Sequence, residues 1–318
     1  MSSQATAYLT AYFEALSPSL TALIQLYSAH KAPHALMLSG QFGVGKRTLA
    51  SVLAQALLCE ADEKPCGVCR ACKKTMDQTH PNLLVVRAAD KQRNVKVEQA
   101  RALQDSLSTY AFSSGARVVL LEQIDIFTPQ AQNALLKVIE EPDANTFFLL
   151  TCENEHAVLT TIRSRCQIQR IPTWPALLLE KQLAENGFPA DDARSLAVLS
   201  GGSPGSAHAM HGDKQFWDMK ELVDDAVLSL NDNSSLPHSS SRFKNLRDQA
   251  DAILDYIENA AMRLIDENPQ DQWAATKARS LLEAVLTARK HQASNLSWQA
   301  IIDHLLLKIL EDQALCQV

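Results

Sequence analysis

Residues 35–49 read ALMLSGQFGVGKRTL, a short apolar run that leads through a glycine-rich loop into an amphipathic segment. The run predicts a buried strand, and the loop has the spacing of a phosphate-binding loop that opens a helix. Glycines let backbone N–H groups turn toward a phosphate, the helix N-terminus adds positive potential, and a lysine reaches the outer phosphates. The candidate nucleotide-binding residues are Gly40, Gly43, Gly45, Lys46 and Thr48.

Two residue types that ATP hydrolysis requires are missing from their expected places. The position after Lys46 normally carries a hydroxyl that ligates Mg²⁺, but it is Arg47, and Thr48 lies about 100° further around the helix. A second apolar run at 118–121 is followed by Glu122-Gln123, where a motor ATPase has Asp-Glu to hold the metal and activate water. An amide cannot take a proton from water. The sequence therefore predicts a degenerate site without hydrolysis, and it leaves open whether ATP or ADP binds.

Short apolar runs and amphipathic segments alternate up to about residue 170, which is typical of a parallel sheet flanked by helices. The predicted strands cover 35–39, 83–87, 118–121 and 147–151, and the predicted helices cover 47–58, 97–108 and 129–140, the last of them ended by Pro142. After Pro172 no strand is predicted. Helices are expected at 175–186 and 190–199, and the polar segment 231–241 is expected to be a loop.

The fold class that we predict is an α/β P-loop domain with a parallel sheet, followed by a small helical domain and an all-α C-terminal domain. The expected boundaries are 1–170, 171–210 and 211–318. The last predicted helix has one apolar face, formed by Trp298, Ile301, Ile302, Leu305, Leu306 and Ile309.

Composition narrows the class of protein. The chain has 318 residues and a formal net charge of −6, so it has no general attraction for phosphate backbones. No Lys or Arg precedes Lys31, and no apolar run reaches the roughly 18 residues of a membrane span. We therefore expect a cytoplasmic protein that binds DNA weakly when it is alone.

Four of the seven cysteines lie within fourteen residues, at Cys59, Cys66, Cys69 and Cys72. A compact loop can bring four such thiolates around one tetrahedral Zn²⁺, and clustered cysteines in a chain without a secretion signal favour metal over disulfides. An iron–sulfur cluster or unliganded thiols are the alternatives, although the ferredoxin pattern expects another Cys where Met76 stands. The other three cysteines are dispersed, and we expect them to be ordinary small apolar residues.

The segment 117–168, RVVLLEQIDIFTPQAQNALLKVIEEPDANTFFLLTCENEHAVLTTIRSRCQI, resembles the bacterial clamp-loader AAA+ family of the DNA polymerase III holoenzyme. The NALLK…EEP and TTIRSRC strings are the most specific parts, and the segment HALMLSGQFGVGKRTLA with its altered motifs resembles the non-hydrolysing members. The resemblance extends in weaker form through GGSPGSA at 201–207 into the C-terminal block. Motor members carry a phosphate-contacting arginine near that segment, whereas this chain has Gly202-Ser203-Pro204-Gly205 there.

The resemblance implies a role for Ser164-Arg165-Cys166, which matches the motif that supplies an arginine finger in trans to a neighbour's ATP. Arg163 is the nearest competitor for that role. It also implies a zinc insert after the phosphate-loop helix, a helical lid over 171–210 and a collar over 211–318 in a hetero-pentamer. The implied partners are gamma/tau and delta subunits, with the sliding clamp and primer–template DNA contacted through the complex.

Two other functions stay open at this level. The first is an active gamma/tau-type clamp-loader ATPase, against which Arg47, Gln123 and the missing lid arginine argue. The second is a zinc-bearing nucleic-acid binder without a loader role, which would bind DNA unaided. The acidic charge balance of the chain argues against this second function.

Overall fold

The computed structural model describes residues 3–89, 94–109, 115–143, 145–228, 230, 236–268, 270–294 and 296–315. The strands are β1 (Ala35–Ser39), β2 (Leu83–Val86), β3 (Arg117–Leu121), β4 (Thr146–Cys152) and β5 (Gln167–Arg170). The helices are α1 (Ser3–Leu16), α2 (Pro18–Ser28), α3 (Lys46–Leu58), α4 (Arg70–Met76), α5 (Val97–Thr109), α6 (Pro129–Glu140), α7 (Thr160–Arg163), α8 (Ala176–Glu185), α9 (Ala190–Leu199), α10 (Pro204–Gly212), α11 (Lys214–Val223), α12 (Leu236–Arg242), α13 (Ala250–Glu267), α14 (Gln272–Ala293) and α15 (Trp298–Leu315).

The five strands form one parallel sheet in the order β2-β3-β4-β1-β5. Every residue of β1 and β3 is buried, as expected where helices cover both faces of a parallel sheet. Alternate side chains of β1 enter different cores: Leu36 packs in the cluster that contains α3, and Met37 packs in the cluster that contains α6. The predicted parallel α/β class is confirmed, and the predicted strands match within one residue at each end.

The strand β5 was not predicted. Its residues Gln167 and Arg170 are exposed, and Ile168 is partly buried against the neighbouring core. An edge strand buries little, so its sequence lacks the apolar run by which the central strands are recognised.

The described residues form two compact units, one made of residues up to Pro175 together with Ser203–Gly205, and the other of Ala176–Gly202 together with the chain from Ser206 onward. The first unit contains the sheet and its helices. The second is helical, and its core includes α13, α14 and α15. The division into three domains at 170 and 210 stays a prediction.

Within the second unit, the apolar face predicted for the last helix is confirmed: its six residues are all buried. The prediction of a loop at 231–241 is wrong for residues 236–241. Residues 231–235 lie outside the described part of the chain. Leu236–Arg242 is the helix α12, and Ser239 and Ser240 are buried in it. The Ser240 hydroxyl is hydrogen-bonded to the carboxylate of Asp303 on α15, so tertiary contacts override the low helix propensity of a serine run.

Among the described residues, no helix combines the length and the apolar character that a membrane crossing needs.

Candidate nucleotide-type site and cysteine centre

The glycine-rich loop leaves β1 and enters α3 as the sequence predicted. Gly45 stands just before the helix with φ of 101°, a left-handed conformation that favours glycine. The Lys46 side chain is buried and folds back on the loop, where its ammonium donates to the carbonyls of Gly40 at 2.8 Å and Gln41 at 2.6 Å. Burial lowers the pKa of Lys46, while the Glu153 carboxylate at 3.9 Å opposes that change.

Groups distant in sequence hold the other carbonyls of the loop. The Ser203 hydroxyl donates to the Phe42 carbonyl at 2.8 Å, and the Gly205 amide donates to the Gly43 carbonyl at 2.9 Å. The Trp174 indole N–H donates to the Val44 carbonyl at 3.1 Å. Three successive carbonyls of the loop therefore accept hydrogen bonds from residues 174–205.

Gly205 lies very close to the glycine-rich loop. A Cβ atom at this position would lie 2.6 Å from the Cα of Gly43, closer than real Cβ contacts allow. Glycine is thus required by a close approach of two backbone segments.

The residues at the two altered motif positions, Arg47 and Glu122, form an ion pair. The Arg47 Nε lies 3.0 Å from Oε1 of Glu122, and the Glu122 side chain is only 9% exposed. The Gln78 amide donates weakly to the same oxygen at 3.4 Å. The structure thus brings the altered positions of the two motifs together, and a guanidinium neutralises the carboxylate at the end of β3.

Gln123 and Thr48 complete the degenerate site. Gln123 has a left-handed backbone, with φ of 55° and ψ of 59°, which is uncommon for a residue other than glycine. Its backbone N–H donates to the hydroxyl of Thr151, near the end of the neighbouring strand β4, at 2.9 Å, and this bond holds the conformation. Thr48 lies half-buried within the first turn of α3.

Arg165 follows α7 and is one third exposed. Its Nη2 donates to Oε1 of Glu140 at 2.7 Å, and its Nη1 donates to the carbonyl of Thr161 at 3.0 Å. The hydrogen bond to the carboxylate raises the pKa of Arg165, and the guanidinium lowers the pKa of Glu140. Arg163, the competing candidate, donates to the Thr160 hydroxyl at 3.4 Å, and its buried Nε finds no acceptor among the residues that the structure describes.

The four clustered cysteines converge as predicted, with all four Sγ atoms within 4.8 Å of one another. The closest pair, Cys59 and Cys66, is 3.5 Å apart, and the Cys59–Cys69 and Cys66–Cys72 pairs are each 3.9 Å apart. A tetrahedral ion with bonds of about 2.3 Å to sulfur requires about 3.8 Å between sulfurs. The cluster can therefore bind a metal ion in the geometry that Zn²⁺ prefers.

Backbone amides add to this fit, because Cys69 N–H donates to the sulfur of Cys66 and Cys72 N–H donates to that of Cys69, each at 3.4 Å. Burial alone would raise the pKa of Cys66, but the amides of Cys69 and Val68 and the nearby thiols outweigh burial and lower it to about 7. Burial raises the pKa of Cys59 and of Cys72, so among these three it is at Cys66 that the amides favour the thiolate, the form that binds metal. Helix α4 begins directly after Cys69 and carries Cys72.

Sequence reasoning missed three features of these sites. It gave no role to Trp174 or Glu140. For the segment around Gly205 it noted only that an arginine is missing, and it did not predict the contact of this segment with the loop. Tryptophan near a proline and glutamate at a helix end have no pattern that reveals such distant partners. Gly205 was the one signal in the sequence that could have predicted a close approach of two backbone segments.

A phosphate loop after β1, together with a sheet in which β1 lies between β4 and β5, defines a P-loop α/β protein of the AAA+ type. Residues 17–175, half of the chain, match the family described as "DNA polymerase III, delta subunit". The chain belongs to this family.

Curated relatives carry names from the same system. The chain is 38% identical over 192 residues to DNA polymerase III subunit delta' of Pseudomonas aeruginosa, covering 59% of this chain and 58% of that protein. It is 32% identical over 216 residues to DNA polymerase III subunit delta' of Escherichia coli K12, covering 67% and 64%. DNA polymerase III subunit tau of Salmonella typhimurium is 31% identical over 259 residues, covering 78% and 38%. The matches span less than two thirds of the length of these relatives.

Proposed function

We propose that the chain is a delta'-type, non-hydrolysing subunit of the bacterial DNA polymerase III clamp loader. The observation that carries this proposal is the ion pair between Arg47 and Glu122, which stands where a motor subunit would hold Mg²⁺. Phosphoryl transfer depends on a metal that neutralises developing charge and on a group that orients water. Here the Glu122 carboxylate is paired with the Arg47 guanidinium, and the amide of Gln123 cannot take a proton from water.

In this role Arg165 acts in trans. A guanidinium is always charged and meets phosphate oxygens with a planar fork of donors, so it suits the stabilisation of a phosphoryl transition state. Arg165 is partly exposed, and its pairing with Glu140 uses only part of its donor capacity. The neighbour that carries ATP would be a gamma/tau subunit.

The rest of the chain supports assembly in this proposal. The helices of the second unit join a pentameric collar with gamma/tau and delta subunits, and the complex opens the sliding clamp and loads it on primer–template DNA in the cytoplasm. The four cysteines hold a structural Zn²⁺, which closes the loop between α3 and α4. Retention of ATP or ADP by the degenerate loop is not required for any of these roles.

The test compares the isolated chain with the reconstituted complex. The isolated chain should hydrolyse no ATP above background, and the substitution Lys46→Ala should leave this background rate unchanged. In the complex, Arg165→Ala should assemble normally but lower clamp-stimulated ATP hydrolysis, with only a partial loss because several sites act; an arginine finger contributes about 10³ to 10⁵ at a single site in GTPases. Arg165→Lys should restore little of the clamp-stimulated ATP hydrolysis, because an ammonium group lacks the planar fork of N–H donors of a guanidinium. Wild-type hydrolysis by a normally assembled Arg165→Ala complex would disprove the finger.

An active gamma/tau-type ATPase is the second candidate. It is favoured by the retained Lys46 and by the similarity to subunit tau over 78% of this chain. Turnover by the isolated chain of about 1 s⁻¹ that depends on Lys46, within the ordinary range of enzymes, would establish this function instead.

A further inference from the structure

Glu140, the last residue of α6, is bound to the side chain that the proposed function uses. Its Oε1 accepts from Nη2 of Arg165 at 2.7 Å, and the carbonyl of Thr161 accepts from Nη1 at 3.0 Å. The guanidinium is therefore held between a carboxylate at the end of one helix and a carbonyl of the short helix that precedes it in sequence.

These two contacts do not use the whole guanidinium. Arginine has five N–H donors, and the described residues accept from one N–H on each of Nη1 and Nη2. The side chain is also 33% exposed, so it is accessible from solvent. Donors thus stay available for a phosphate while the orientation of the group is restricted.

The two helices that hold Arg165 are joined to each other by a buried side chain. Gln132 on α6 donates through Nε2 to the carbonyls of Phe127 and Ala157, each at 3.1 Å, and accepts from the amide of Leu159 at 2.8 Å. Leu159 is the residue directly before α7. Glu140 and Thr161 are consequently fixed in relation to one another, as a support for a precisely placed group requires.

We propose that Glu140 is a positioning residue for Arg165, which it holds in the orientation where the remaining donors meet the phosphate of a neighbouring subunit. This inference rests on the proposed function. Without the carboxylate, the long side chain of Arg165 regains rotamer freedom and must be ordered again in each transition state. Glu140 itself touches neither nucleotide nor reacting atoms.

The experiment uses the reconstituted loader and measures clamp-stimulated ATP hydrolysis for Glu140→Ala, Glu140→Gln, Arg165→Ala and the double variant Glu140→Ala/Arg165→Ala. Glu141→Ala is the matched control, since Glu141 is the exposed neighbour and its removal changes the net charge equally. Glu140→Ala should lower kcat about three- to tenfold at unchanged KM for ATP, because small misplacements of a catalytic group are costly. Glu140→Gln should retain part of the rate, since an amide oxygen still accepts.

The double variant separates positioning from folding. In the Arg165→Ala background, removal of Glu140 should cause no further loss, whereas an equal loss in both backgrounds would mean that Glu140 acts through the fold and would overturn the inference. Equal rates for Glu140→Ala and Glu141→Ala, beside a slow Arg165→Ala, would overturn it while leaving the finger intact. No effect of Arg165→Ala would instead disprove the arginine finger of the proposed function. If Glu140→Ala does not assemble, Glu140→Gln takes its place in the same cycle.

Discussion

At the scale of single residues, Gly205 joins the start of α10 to the glycine-rich loop. Its amide binds the Gly43 carbonyl, and the two backbones approach so closely that no side chain fits between them. Any side chain at this position would require one of the two backbone segments to move.

We predict that Gly205→Ala destabilises the chain by about 1 to 3 kcal/mol, because the added methyl group forces the backbone of the loop to shift. Gly212→Ala is the control, since both glycines lie in α10 and a Cβ at Gly212 would meet nothing within 4 Å. Calorimetric melting measures both variants. Equal melting temperatures for Gly205→Ala and Gly212→Ala would contradict the close approach.

At the scale of elements, the segment between α3 and α4 depends on its cysteines. The segment 59–69 has few apolar side chains to bury. The buried Gln55 side-chain amide on α3 donates to the Cys72 carbonyl on α4 at 3.2 Å, which joins the two helices on either side of it. A metal that binds the native loop and not the unfolded chain adds its binding free energy to folding.

We expect freshly purified protein to contain close to one equivalent of zinc. Replacement of both Cys69 and Cys72 by Ser should abolish zinc in metal analysis and lower the melting temperature, because two ligands cannot hold the ion in a closed shell. Cys166→Ser, which removes a thiol outside the cluster, should retain the zinc. Zinc content that is unaffected by the double replacement would exclude the assigned ligands.

An ion pair joins Arg170 on the edge strand β5 to Glu155. Arg170 donates through Nε and Nη2 to the two carboxylate oxygens of Glu155, at 2.8 and 2.9 Å. These hydrogen bonds, with a smaller contribution from Ser39, lower the pKa of Glu155 to about 2. A lowered pKa means that the stabilisation is complete above the unfolded value near 4.5 and is lost as the pH falls through about 2.

Arg170→Ala should therefore lower the melting temperature by a constant amount between pH 7 and pH 5, and the difference from wild type should shrink below about pH 4.5. Melting curves from pH 7 to below pH 4.5 measure the effect. An NMR titration of Glu155 should show a higher pKa in the variant. Glu155→Gln should remove the same pH dependence. A difference that grows toward low pH would have the wrong sign for this pair.

At the scale of the whole molecule, 36 acidic residues exceed 30 basic ones. We predict that the isolated chain binds primed DNA no tighter than ordinary non-specific binding, with a Kd of about 10⁻⁴ to 10⁻⁶ M or weaker at physiological salt. A fluorescence titration at several salt concentrations measures this, with the reconstituted loader as the positive control. Nanomolar binding by the chain alone would favour the zinc-bearing nucleic-acid binder.

The sequence by itself determined the features whose causes lie close together along the chain. The phosphate loop follows from glycine spacing after an apolar run, and the convergence of the cysteines follows from four ligands within fourteen residues. The buried face of α15 follows from helical periodicity, which places Trp298 through Ile309 on one side. Each of these signals is local, so no knowledge of the topology was needed.

Only the tertiary structure decided what depends on residues far apart in sequence. The pairing of Arg47 with Glu122, the contact of Gly205 with Gly43, and the support of Arg165 by Glu140 each join segments that the topology brings together. The helix of Leu236–Arg242 and the edge strand β5 likewise form because of neighbours across the fold. Local propensity is worth a fraction of a kcal/mol per residue, so packing and pairing with distant segments override it.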